Sequence, residues 1–412
     1  MRRAVPWIGV ALVVVAEIVA VVMLLPFLQP PAMKLLDLLP SSGGAPKPVA
    51  TADLTGAGPG SLVSATTMPA VTRTFFGRGF EAARVLYRST SGDTGAETVV
   101  SGSVFVPKGK APQGGWPVVG FGHGTLGIDN ECAPSLSPDL SSYIGVVRVL
   151  TKLGLAVAFP DYQGLGTKGV HPYADSKTAG LNMIDAVRAL HRTFPDVSNK
   201  WAAMGGSQGG GAAWAADEQA GSYAPELTLV GAAATSPPTD LTGLVDKAQE
   251  GKLTTEQGAV TQAIIESLAR LHPDLDRDLY RHGTAKEYWN AMSACSDDTA
   301  FQRGEAIKKL GPNDFTPETP DAAIHLRDLL QQWALPQKPL SAPLYVWYGG
   351  QDPYIDAAWT EAGIKRACEL GGTITIDFDP NGGHNPSTGA AVLAWLADRF
   401  AGKPAPNDCK SG

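Results

Sequence analysis

Three side chains far apart in the chain, Ser207, Asp352 and His384, are of the types that turn a hydroxyl into an attacking oxygen. Ser207 sits in Gly205-Gly206-Ser207-Gln208-Gly209, Asp352 in Gly349-Gly-Gln-Asp352-Pro-Tyr-Ile355, and His384 in Pro380-Asn-Gly-Gly-His384-Asn-Pro386. A serine at its ordinary pKa is a poor nucleophile, so a base must take its proton and a carboxylate must hold that base in the right tautomer. Of the seven histidines, only His384 lies downstream of both the serine and the acid. The chemistry these residues point to is acyl transfer.

A Gly-x-Ser-x-Gly match alone carries little weight in a chain with 47 glycines, so its context decides. Trp201-Ala-Ala-Met204 reads as a short apolar strand, and the Ala-rich stretch 208–220 reads as a helix. Strand, tight turn and helix make a nucleophile elbow, with glycines at 205, 206, 209, 210 and 211 removing Cβ atoms where the turn is crowded. Asp352 follows the buried-strand pattern Pro343-Leu-Tyr-Val-Trp-Tyr348. Asp356 is the competing acid, but suits better the N-cap of a helix running toward Leu370. His384 falls between a strand at 373–378 and a final helix. The order Ser, Asp, His is the one the α/β-hydrolase fold imposes. That fold takes one oxyanion donor from the residue after the nucleophile, here the Gln208 amide, and the other from the loop after the third strand. Pro117-Val-Val-Gly-Phe-Gly-His123-Gly124-Thr125 has that form, which nominates the Thr125 amide, with Leu126 as its neighbour candidate; His123 reads as structural.

These residues need a scaffold, and strand patterns at 83–87, 98–106, 118–121, 155–159, the elbow, 227–233, 344–347 and 373–378 supply one. The expected architecture is α/β: an eight-stranded, mostly parallel sheet with helices on both faces. Residues 139–153 read as a helix introduced by Ser137-Pro138. A second helix at 176–194 turns Ala179, Met183, Val187 and Leu190 toward the sheet and leaves Asp185 and Arg188 as solvated charges. The core divides into 71–239 and 341–412 around an insertion at 240–340 that the sheet does not need. Within it, an amphipathic helix at 255–271 carries Val260, Ile264, Ile265, Leu268 and Leu271 on one side. That stripe can pack on neighbouring helices and can also cap Ser207 and line an acyl pocket.

At the N-terminus, Arg2 and Arg3 precede an apolar run, 5–28, interrupted only by Glu17. Residues 1–30 are either an export signal or a membrane anchor: the length suits an anchor and no A-x-A cleavage site follows, whereas Glu17 is costly in lipid. Residues 31–70, rich in Pro, Gly, Ser and Ala, read as a linker and irregular entry segment. A hydrophobic content of 44% with 18% charged residues describes a globular chain of 412 residues, and a net charge of -7 argues against a nucleic-acid partner. No Walker motif, dinucleotide fingerprint or metal-ligand cluster occurs, so neither cofactor nor metal is expected. Export would let Cys132, Cys295, Cys368 and Cys409 form two disulfides, in one of three pairings.

Several stretches together resemble a known family. Cys132-Ala-Pro-Ser135, Asp161-Tyr-Gln-Gly164, Asp185-Ala-Val-Arg188-Ala-Leu190, Ser207-Gln-Gly-Gly210 and Ser222-Tyr-Ala-Pro-Glu-Leu227 look like those of the secretory lipases of fungi and actinomycetes, the Candida antarctica lipase A type. The similarity runs from about residue 60 to residue 409 and is weakest in the insertion. It implies a carboxylic-ester hydrolase with a helical cap, a Ser207–Asp352–His384 triad, and disulfides joining Cys132 with Cys295 and Cys368 with Cys409. His123-Gly-Thr125-Leu126 departs from family members that carry a polar residue in the oxyanion loop, and the apolar N-terminus is no part of the family's catalytic pattern. The protein is further expected to be a monomer, extracellular or held at the cell envelope by its apolar N-terminus, acting on an ester or lipid. The same triad could serve an acyltransferase or a serine peptidase, and a non-enzymatic envelope protein could share the fold.

Overall fold

The β-branched and small apolar residues that mark the core strands form one sheet in the computed structural model, which describes residues 44–295, 300–387 and 389–410. Its strands are β1 (Leu62–Thr67), β2 (Phe80–Thr90), β3 (Glu97–Pro107), β4 (Trp116–Gly122), β5 (Ala156–Pro160), β6 (Val197–Gly206), β7 (Thr228–Thr235), β8 (Leu344–Gly349) and β9 (Ile374–Asp379). They lie in the order β1-β2-β3-β5-β4-β6-β7-β8-β9. The first three pairings are antiparallel and those from β5 through β9 are parallel. Helices of seven or more residues are α1 (Ile144–Lys152), α2 (Ser176–Thr193), α3 (Gln208–Tyr223), α4 (Gly243–Gln249), α5 (Thr255–Leu271), α6 (Ala300–Ile307), α7 (Pro320–Trp333), α8 (Ala357–Glu369) and α9 (Ala390–Phe400). One core lies between the sheet and α2 and α3, where Trp201 and Trp214 are fully buried; α1 and α9 pack against apolar residues in separate clusters. Each such side chain contributes about 1.5–3 kcal/mol by leaving water.

Nine strands among the described residues correct the expected eight. The added one, β1, lies in the stretch read as linker and entry segment. A bulge between Leu62 and Ser64 puts its buried residues, Leu62 and Ala65, three apart, so the period-2 signal is broken. The helix expected at 139–153 begins only at Ile144, because Leu140, Ser141 and Ser142 adopt left-handed φ of 57°, 51° and 75°. That turn buries Leu140 and precedes Tyr143, whose hydroxyl accepts from the Gly124 amide at 3.0 Å.

Asp185 and Arg188 are not solvated charges. Asp185 is fully buried and accepts from Ser89 Oγ at 2.7 Å, Tyr223 Oη at 2.8 Å and Arg188 Nη1 at 2.9 Å. Arg188 lies over the Tyr223 ring and donates to Glu226, so the charges staple α2 to the end of α3. Burial lifts the Asp185 carboxyl to about 6 against these bonds. Helical periodicity marks which residues share a face, but not that a carboxylate on that face has three donors waiting.

Between β7 and β8 the inserted helices bury their own cluster, including Val245, Ile264, Leu268, Trp289 and Trp333. A reciprocal capping box of Thr254 and Gln257 starts α5. Ile264, Ile265 and Leu268 are buried, while Val260, toward its N-terminal end, reaches a cavity above the sheet. The stripe thus packs on neighbouring helices over most of its length and faces that cavity at Val260. The disulfides are Cys132–Cys295 and Cys368–Cys409, with Cα–Cα distances of 5.1 and 5.3 Å. The first ties the segment after β4 to the insertion; the second ties α8 to the chain end. The apolar run 5–28 lies outside the described residues, among which no helix is long and apolar enough to cross a membrane.

Candidate active site

β6 ends at Gly206 and α3 begins at Gln208, leaving Ser207 alone in the turn between them. Its φ of 55° and ψ of -124° are a costly conformation for a residue with a side chain, and they hold the serine at the tip of a sharp strand-to-helix turn. The Ser207 amide donates to Thr235 O at 2.9 Å, which pins the turn to β7. No side chain fits beneath it: a Cβ on Gly205 would come within 2.3 Å of Gly209 O, and one on Gly209 within 2.1 Å of Gly122 O.

Asp352 follows β8. Its side chain is 2% exposed, and Oδ1 accepts from the Tyr354 and Ile355 amides at 2.8 and 3.1 Å. Oδ2 lies 2.7 Å from His384 Nδ1. His384 is held further by Ser236 Oγ, which donates to its carbonyl oxygen at 2.6 Å, and by the Tyr354 ring, 4.6 Å away between centroids. With Nδ1–H committed to the carboxylate, Nε2 carries the lone pair. Asp356 occupies the N-cap position of α8 but makes no capping bond. Its carboxylate accepts instead from Lys247 Nζ at 3.0 Å and Gln257 Nε2 at 2.8 Å, both on inserted helices.

Ser207 and His384 line a single cavity of about 580 Å³ together with Gly124, Thr125 and Gln208. The amides of Gln208 and Thr125 have no partner among the described residues, whereas the Gly124 amide is taken by Tyr143. Thr125 is fixed from the other side by a 2.7 Å hydrogen bond between its Oγ1 and Tyr173 Oη. His123 is fully buried, its ring nitrogens facing Gly124 O at 2.6 Å and Asp161 O at 3.2 Å, with burial lowering its pKa. Asp161 in turn accepts from Ser101 Oγ at 2.5 Å and from the Ser135 amide at 2.9 Å; burial raises its carboxyl despite them. These groups brace the loop from beneath and do not face the cavity.

Sequence reasoning missed three neighbours of the nucleophile. His171 Nδ1 donates to Gln163 O at 2.9 Å, and burial depresses the ring to about 3, so neutral Nε2 accepts from Gln208 Nε2 at 2.8 Å. That bond fixes the side chain next to Ser207. Tyr173 and Tyr354 flank the oxyanion loop and the base. Tyr354 stands two residues after Asp352 and could have been found by that proximity; His171 and Tyr173 carry no comparable mark.

A sheet antiparallel at one side and parallel through the rest, with a serine on the strand–helix turn of β6, defines an α/β-hydrolase. The secretory lipase family model matches residues 141–408, and the chain belongs to that family, one of carboxylic-ester hydrolases. Among curated relatives, Lipase 6 of Candida albicans is 27% identical over 68% of this chain and 65% of its own length. A Mycobacterium tuberculosis protein described as a probable inactive lipase is 26% identical over 78% of this chain and 74% of its own. Candida antarctica lipase A in its closed state superposes with a TM-score of 0.68 at 17% identity, covering 88% of each chain. The rice cell wall degrading esterase LipA of Xanthomonas oryzae gives 0.63 at 18% identity, over 84% of this chain and 96% of that one. At these identities the two structures speak to fold alone.

Proposed function

We propose that the protein is an exported hydrolase that cleaves carboxylic esters by two-step acyl transfer. Ser207 Oγ attacks the ester carbonyl while His384 Nε2 takes its proton, and the Asp352 carboxylate stabilises the imidazolium that forms. The tetrahedral oxyanion accepts from the Gln208 and Thr125 amides; such a donor is worth about 2.7–4 kcal/mol where measured. The alcohol leaves with the proton held by His384, and water repeats the sequence on the acyl-enzyme. The observation that carries the reading is the 2.7 Å His384–Asp352 hydrogen bond in a cavity that Ser207 also lines.

The insertion is read as a cap: α5 and α6 supply part of the wall around Ser207 and make a bounded pocket rather than an open cleft. Export is supported by the two disulfides and by the family's secretory character. A fluorophosphonate probe tests the centre directly. Wild-type protein should be labelled and should hydrolyse p-nitrophenyl esters, while Ser207→Ala should do neither. Ester turnover surviving in Ser207→Ala at the wild-type rate would end this assignment.

A further inference from the structure

The cavity around Ser207 holds a charge that ester hydrolysis by itself does not use. Arg303, on α6, lines it, and its Nε–H is buried with no hydrogen-bond partner among the described residues. Its guanidinium makes no ion pair among those residues either, although three other acidic or basic side chains line the same space, one of them Asp175, whose carboxyl accepts from the Thr178 amide at 3.1 Å. Lys308 pairs with Glu305 at 2.9 Å. Glu256, half-buried in the first turn of α5, also makes no ion pair among the described residues, and the helix dipole favours its negative charge. Of the two lysine and arginine side chains lining the cavity, Arg303 is the one without an ion pair among the described residues.

A guanidinium only donates hydrogen bonds, so the buried Nε–H keeps its need for an acceptor. The position is specific as well. Its positive charge acts on both Tyr173 and Tyr354, opposing the burial that raises their hydroxyls, while at Tyr354 the Glu256 charge acts more strongly in the other direction. Tyr173 holds Thr125 at the oxyanion side, and Tyr354 lies against His384. A substrate whose carbonyl sits between Ser207 and Thr125 shares its cavity with a guanidinium that has no acceptor among the described residues.

Resting on the ester-hydrolase reading, we infer that Arg303 is a specificity-determining residue that selects esters bearing a second, ionised carboxylate, as in monoesters of dicarboxylic acids. A guanidinium meets a carboxylate through two parallel N–H···O bonds, a match in charge and shape that a neutral acyl chain cannot offer. A single uncompensated cation suits a monoanion better than a phosphate dianion.

The test is methanol release from monomethyl succinate, monomethyl adipate and monomethyl suberate, against methyl esters of the monocarboxylic acids of matching length. The readout is the carboxylate-to-neutral ratio of kcat/KM within each protein, so a general loss of activity cancels. Wild type should favour the carboxylate ester by about 10-fold or more at one length, and Arg303→Gln should lower that ratio roughly 10- to 100-fold, chiefly through KM. Arg303→Lys, with a point charge in place of a fork, should recover only part. An unchanged ratio in Arg303→Gln, or a wild type that prefers the neutral ester at every length, overturns the assignment. If neutral esters are cleaved in a Ser207-dependent way and the ratio does not move, Arg303 alone has been misread. If neither series is cleaved through Ser207, the ester-hydrolase reading fails and this assignment goes with it.

Discussion

An acid that orients an imidazole and an acid that braces a surface differ in what their amides would do. Replacing Asp352 by Asn keeps the shape but offers His384 Nδ1 a donor as readily as an acceptor, which favours the wrong tautomer. Asp352→Asn should cut kcat by about 10³- to 10⁴-fold with little change in KM, measured on a soluble p-nitrophenyl ester. Asp356→Asn should cost less than about 10-fold in kcat, because its carboxylate serves Lys247 and Gln257 rather than the base. Equal losses in the two variants would mean that the acid is wrongly chosen. At this scale the sequence spoke clearly for Ser207, Asp352 and His384, since a strand–turn–helix context and chain order both constrain them. It was silent about Arg303 and His171. One is distinguished only by a missing partner, the other by a hydrogen bond to a residue 37 positions away, and neither leaves a local pattern.

Among the elements, α3 does more than follow Ser207. Its far end buries Asp217, which accepts from the amides of Ser341 and Ala342 at 2.9 and 2.8 Å, where the chain returns from the insertion to β8. Burial is the largest influence and lifts this carboxyl to about 8, with nearby Glu218 adding to it. The folded state thus holds a proton that the unfolded chain gives up near pH 4. The stability linked to that proton is fully present below about pH 4 and is lost as pH rises through about 8. Asp217→Asn keeps the acceptor and removes the titration. Thermal melts from pH 5 to 9 should therefore show a falling Tm in wild type and a flatter profile in the variant; parallel profiles would rule out Asp217 as the source.

The second element-scale expectation concerns Cys368–Cys409, which spans 41 residues and ties α8 to the last turn of the chain. Cys368→Ser with Cys409→Ser should destabilise the fold by about 2–4 kcal/mol in denaturant melts at unchanged kcat, because neither cysteine lines the cavity. Most elements were legible because their apolar periodicity is long and regular. β1 was hidden by a bulge, and the start of α1 by a left-handed turn that no residue preference announces at Leu140, Ser141 and Ser142.

In the molecule as a whole, two apolar clusters, one in the sheet layer and one in the insertion, both contribute to the cavity that Ser207 lines. The covalent tie between them is Cys132–Cys295, which joins positions 163 residues apart. Removing it should leave the sheet intact and loosen the insertion: Cys132→Ser with Cys295→Ser should raise amide exchange in α5 and α7 more than in β6 or β7. Uniform exchange across both would show that the two parts open together. The existence of an inserted region was legible from the excess of chain between two strands; where it grips the sheet was not, since those contacts join residues about a hundred positions apart.

That grip has a cost for any motion admitting substrate. Thr254 Oγ1 donates to Pro353 O at 2.6 Å, and Lys247 and Gln257 hold Asp356, so the roof is fastened to the same short turn that presents Asp352 to the imidazole. Raising the roof wholesale would disturb the His384–Asp352 hydrogen bond with it. An entrance compatible with turnover has to open elsewhere along the rim, leaving this clasp shut.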